Sequence, residues 1–133
     1  MNIRVGRHNE PGAVYIGRAM PRLNRKASPL ANPYKLRNPN DDAERDEVCD
    51  KYERWLDRQM VTNNPAICAE IERLAELAHR RGELVLGCFC APKRCHGDGI
   101  REVINRTPFS VEMAELGWNI THAGSERNRG KQP

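Results

Sequence analysis

The spacing of hydrophobic positions changes character several times along the chain, and each change predicts an element. "NIRV" at 2–5 and "AVYIGR" at 13–18 are short and rich in β-branched and aromatic side chains, with Gly6 and the turn-forming "NEPG" of 9–12 between them. This pattern predicts two strands, and their close spacing suits a hairpin. Residues 19–40 show no period and are dense in proline, asparagine and basic side chains; a loop this long in a small domain is either functional or disordered. From residue 41 the period becomes helical. Val48, Tyr52, Trp55, Leu56 and Met60 share a stripe, and Asp41, Asp42 and Glu44 crowd the first turn, where carboxylates complement the helix dipole. A second helix follows "TNNP", with Asn64 as cap, Pro65 at the first helical position and Ile67, Ile71, Leu74, Leu77 and Ala78 as its apolar face. His79, Arg80, Arg81 and then Gly82 supply a stop. "ELVLGCFC" at 83–90 reads as a fully buried strand and "GDGIREVINR" at 97–106 as a short helix. Beyond it, "FSVEMAELGW" predicts a short helix or a cover for the sheet edge with Trp118 packed inward, and "GSERNRGKQP" a frayed, disordered end.

The succession is β-β-α-α-β-α. It predicts a small single α/β domain over residues 1–106, a Rossmann-like open sheet with helices packed on it, and a C-terminal extension over 107–133. Two helices between strands favour a right-handed crossover to a parallel neighbour. In such sheets ligands bind beyond the carboxyl ends of the strands. The loops "GRAMPRLNRKASPLANP" and "CAPKRCHGDG" each follow a strand end, which predicts one site built from both.

Length and composition narrow the class. A chain of 133 residues suffices for one domain with its own core. No run approaches the roughly 18 apolar residues needed to span a bilayer, so no membrane partner is expected. "MNIRVGRHNEPG" lacks the apolar segment of a secretory leader, which predicts a cytoplasmic location. In that reducing compartment five cysteines are free thiols or metal ligands. The formal charge of +4 conceals an asymmetry: residues 1–37 carry eight basic side chains against Glu10 alone, a net +7, whereas residues 38–82 carry eleven acids and seven bases, a net −4. The basic segment suits a phosphate-bearing small molecule or nucleic acid; pairing with the acidic helices explains it as well.

The chemistry concentrates in "GCFCAPKRCHGDGIR". Cys88 and Cys90 share one face of an extended strand, and a turn back over the strand end brings in Cys95 and His96. Three thiols and an imidazole form a ligand set that zinc favours, although C-x-C-x4-C-H is no standard finger spacing. A second reading makes Cys95 a reactive thiolate at a helix N-terminus, with His96 as base and Asp98 beside it. "CHGDGIR" also has the C-x5-R spacing with which cysteine phosphatases cradle an anion, which would give Arg101 a ligand-binding role. The third reading is a core strand of buried cysteines, and it serves well for Cys49 and Cys68. Outside this run, Gly17 and Arg18 at a strand end suit phosphate contact, and Ser28 and Asn32 bracket a proline-stiffened loop. Tyr52 and Trp55 read as core, and His8, His79 and His122 as solvent or helix-end residues.

The ordered motifs "VYIGR" (14–18), "SPLANPY" (28–34), "YERWL" (52–56) and "LGCFCAPKRCHGD" (86–98) resemble the family known as domain of unknown function 4326, which occurs in bacteria and bacteriophages. The resemblance covers about residues 2–105. This chain departs from it in a longer interval before the cysteine strand and in the tail beyond Arg106. The resemblance implies no established activity, but it implies that Gly17, Arg18, Ser28, Asn32, Pro33, Cys88, Cys90, Cys95, His96 and Asp98 belong together, and a host-cytoplasm location if the chain is phage-encoded. The combined expectation is a nucleotide-binding or nucleotide-processing domain with a Cys-His site. A non-catalytic nucleic-acid-binding or host-interaction module, with zinc as a staple, stands as the alternative.

Overall fold

The structure, a computed structural model, describes residues 2–117. The expectations for Trp118, His122 and the frayed end lie outside the described residues. The elements are β1 (Ile3–Arg7), β2 (Val14–Tyr15), a 3-10 turn (Pro21–Leu23), α1 (Asp42–Val61), α2 (Pro65–Arg81), β3 (Leu84–Cys88), α3 (Gly97–Asn105) and α4 (Pro108–Glu115). Relative to the expected succession, the chain adds the 3-10 turn, and of the two readings of "FSVEMAELGW" it takes the short helix, α4.

The fold is α/β, with four helices and a three-stranded parallel sheet of order β1-β3-β2 among the described residues. β1 and β2 therefore do not form the hairpin that their spacing suggested. Each pairs in parallel with β3, with Val5 and Val14 both opposite Leu86. The cause lies in β3. Every residue of its "LVLGC" is buried, so its backbone must be paired on both edges and its faces covered. The link from β1 to β2 has only residues 8–13 in which to cross the intervening strand, and it crosses at Gly87. A Cβ there would sit 3.1 Å from the Cα of His8 and 3.2 Å from the Cβ of Ala13. A side chain at this position would force the crossing link to give way by a few tenths of an ångström, so glycine suits the close approach.

The helices follow local signals. The Asp41 side chain accepts from Glu44 N at the start of α1, and Asn64 Oδ1 accepts from the amides of Ala66 and Ile67 at the start of α2. Gly82, at φ +84°, ends α2 with its N–H on Ala78 O. The face that α1 buries consists of Arg45, Cys49, Tyr52 and Leu56. Its Tyr52 and Leu56 pack with Ile71, Leu74, Leu86, Ile100 and Ile104 into one core. Each fully buried large aliphatic side chain contributes about 1.5–3 kcal/mol. α4 docks against α2 and α3, its Thr107 cap accepting from Ser110 N.

The segment between β2 and α1 is irregular and held at several points. Leu30 is fully buried and its carbonyl accepts from Tyr52 Oη at 2.8 Å. Ser28 N donates to Gly17 O, and Arg18 Nη2 donates to the carbonyls of Asn32 and Tyr34 at 2.7 and 3.0 Å. Side-chain turns at Ser28 (to Leu30 N) and Asn32 (to Tyr34 N) remove further freedom.

Candidate functional site

β3 ends at Cys88, and the chain then turns through residues 89–96 before α3 begins. This turn, the irregular segment after β2 and the first two turns of α1 enclose a cleft of about 350 Å³. Gly17, Arg18 and Asn32 line it from one side, Cys88, Cys95 and His96 from another, and Arg45 and Cys49 from α1. Its place beyond the carboxyl ends of β2 and β3 follows from the parallel sheet.

The floor is a cysteine–histidine triangle. The ligand-type atoms of Cys88, Cys95 and His96 lie within 4.8 Å of one another, and all three residues are buried. The Cys88 sulfur accepts the N–H of Cys90 at 3.4 Å, and the Cys95 sulfur accepts the N–H of Gly97 at 3.3 Å. His96 Nε2 lies 2.8 Å from Ile16 O. A carbonyl can only accept, so this contact puts a proton on Nε2, and in the neutral ring the lone pair then lies on Nδ1. The imidazole also meets the Tyr52 ring edge-on, with centroids 5.0 Å apart. Gly97 lets the start of α3 press onto the sheet: a Cβ there would lie 2.8 Å from Val5 Cγ2 and 3.0 Å from Ile16 Cδ1.

Cys90 lies outside the triangle. Its hydrogen bond with Cys88 and its burial push its thiol pKa up, against the pull of the adjacent Arg45 guanidinium. Burial likewise pushes the Cys49 thiol up to about 11, opposed by Arg94. Phe89, on the opposite face of the strand end, is 47 % exposed and stacks on His8 with centroids 3.9 Å apart.

The cations of the wall differ in how they are compensated. Arg94 bridges Asp46, Asp50 and Glu53, one ridge of α1, at 2.9–3.2 Å, and the hydrogen bond to Asp50 does most to raise its pKa. Arg45 is only 6 % exposed. It donates to Arg94 O and Pro39 O, its Nε has no partner, and no carboxylate pairs with it among the described residues. Arg18 and Lys35 line the cleft, also without a carboxylate partner among the described residues.

Other residues singled out in the sequence lie elsewhere. Asp98 accepts the Cys95 N–H at 3.3 Å and pairs with Arg101 at 3.9 Å. Neither side chain lines the cleft, so the C-x5-R spacing does not wrap the Arg101 guanidinium around the space above Cys95. Ser28 is occupied within its own turn. Sequence reasoning missed Arg45, Lys35 and Tyr34 as lining residues and took Cys49 for core alone. The signal for Arg45 was its spacing: 45, 49, 52 and 56 fall on one helical face, so an arginine was placed on a buried stripe.

Fold and site together define a small parallel α/β domain with a basic cleft over a cysteine–histidine floor. The chain belongs to the family described as domain of unknown function (DUF4326), whose model matches residues 2–106. No curated protein and no solved structure matches it. Among the described residues no helix is long and apolar enough to cross a membrane.

Proposed function

We propose that this domain binds a phosphate-bearing small molecule, a nucleotide above all, in the cleft between the β2–α1 segment and the β3–α3 turn, and acts on it through the cysteine–histidine floor. The observation that carries the reading is Arg45. A guanidinium removed from water without a counter-charge is costly, and an anion in the cleft would offset that cost. Arg18 and Lys35 add positive charge from the β2–α1 segment, and Arg is the side chain best shaped for planar anion recognition. The volume falls in the range of small-molecule sites. Open sheets of the Rossmann-like kind hold ligands beyond the carboxyl ends of their strands, where this cleft lies. The exposed Phe89, backed by His8, offers an aromatic face at the rim for a base.

Calorimetric titration of the reduced protein with a panel of mononucleotides, inorganic phosphate and pyrophosphate tests this reading. Saturable binding of one or more of them, weakened in Arg45→Met, is expected. Absence of binding at millimolar concentrations, or affinity confined to long single strands with a steep salt dependence, overturns it in favour of a nucleic-acid-binding surface.

A further inference from the structure

We infer that Cys88, Cys95 and His96 form a binding site for a single divalent transition-metal ion of the zinc type, with a fourth coordination position open to the cleft. The inference stands on the donors alone and does not depend on which molecule the cleft accepts.

Four observations carry it. First, two sulfurs and an imidazole converge within 4.8 Å, from the end of β3 and the start of α3. Soft thiolates combined with imidazole select zinc-type ions over magnesium or calcium. Second, each sulfur already accepts a backbone N–H from two residues further along, Cys90 N for Cys88 and Gly97 N for Cys95. Such N–H donors stabilise negative charge on sulfur, the form a metal requires. Third, His96 is oriented as a ligand. Its Nε2–H is held by the Ile16 carbonyl, so Nδ1 is the nitrogen that would ligate an ion, and metal-binding histidines ordinarily have their second nitrogen fixed in this way. Fourth, all three residues line the cleft, so a fourth position on a bound ion would be open to a water or a ligand oxygen from that side. Three protein ligands and one open position mark catalytic rather than structural zinc.

The set is narrower than the four residues the sequence offered. Cys90 contributes its N–H to Cys88, and its thiol, in contact with both the Cys88 thiol and Arg45, lies outside the triangle. Binding is an exchange in which the ion replaces the two thiol protons of Cys88 and Cys95 while His96 adds an imidazole lone pair. Two protons are thus released per ion when both thiols start protonated, and no electron is transferred.

Cobalt(II) titration of the full, reduced chain tests the assignment with the metal alone. The expected result is one ion per chain, a sulfur-to-cobalt charge-transfer band, the strong visible absorption of a four-coordinate ion, and displacement by zinc with loss of colour. Cys88→Ser and His96→Ala are expected to weaken binding at least about 100-fold, and Cys90→Ser to change it less than about threefold. Far-UV circular dichroism of each variant separates lost binding from lost fold. Absence of the charge-transfer band in folded wild-type protein overturns the assignment, as does a Cys90→Ser effect as large as that of Cys88→Ser. Nucleotide binding by metal-free protein would leave the ligand reading intact whatever cobalt does, so the two fail separately.

Discussion

His96 Nε2 and the carbonyl oxygen of Ile16 are 2.8 Å apart, although eighty residues separate them in the chain. That contact ties the exit of β2 to the turn after β3, and it is buried. It sets the imidazole tautomer and holds the two sides of the cleft at a fixed separation. His96→Phe keeps a ring against Tyr52 but leaves a buried carbonyl without its donor. The expected loss is about 1–3 kcal/mol in denaturant unfolding. Unchanged stability would show that the carbonyl finds another partner and that the contact is not what joins the walls.

Gly87 makes a sharper prediction about the fold. The β1–β2 link crosses β3 there at backbone distance, and backbone cannot swing aside as a long side chain can. Gly87→Val is expected to destabilise the domain by about 3 kcal/mol or more, and Gly87→Ala by less, read from urea midpoints. Equal stability of both variants with wild type would contradict the crossing.

Arg45→Met removes a buried cation together with its bonds to two carbonyls. Affinity for a phosphate-bearing ligand is expected to fall about 10- to 100-fold, the worth of a charged hydrogen-bonding group. Lys35 is exposed on the rim, so Lys35→Ala should cost less affinity and chiefly reduce the salt dependence. A ligand bound equally well by all three proteins sits somewhere else.

His79 supplies the pH dependence. Both its ring nitrogens lack partners, the Phe109 ring meets it edge-on at 5.3 Å, and burial lowers its pKa below the ordinary 6.5. The unfolded chain therefore takes up this proton at a higher pH than the folded one. The contribution to stability is complete above about pH 6.5 and declines as the pH falls toward the depressed folded value. His79→Leu is expected to flatten this part of the stability–pH curve while α4 stays docked. A wild-type curve level between pH 7 and 5, once the carboxylates are accounted for, would contradict it.

Much of the helical architecture was legible because its signals are local: Asn64, Pro65 and Gly82 bound α2 through their own backbone preferences. The placement of β1 and β2 was not, because the spacing of two short strands carries no information about a third that inserts between them. Gly87 encodes that insertion, but a glycine in a strand reveals a close approach only once the approaching backbone is known. At the site, the cysteine–histidine run announced itself by composition, yet which donors converge depended on where the chain turns after Cys88. Arg45 was hidden by its neighbours. In "DDAERDEVCD" it looks like one more solvated charge, and only its register with Cys49 and Tyr52 betrays its burial. Asp98 and Arg101 show the converse, since a suggestive spacing was used up in a local ion pair.

The central claim is that the β2–α1 segment and the β3–α3 turn form the two walls of one ligand cleft. Amide NMR spectra recorded during titration with the mononucleotide that calorimetry selects test it most directly. The amides of Gly17, Arg18 and Asn32 are expected to shift together with those of Phe89, Cys95 and Gly97, all following one dissociation constant. Shifts confined to one of the two segments, or centred on α2 and α4, would contradict it.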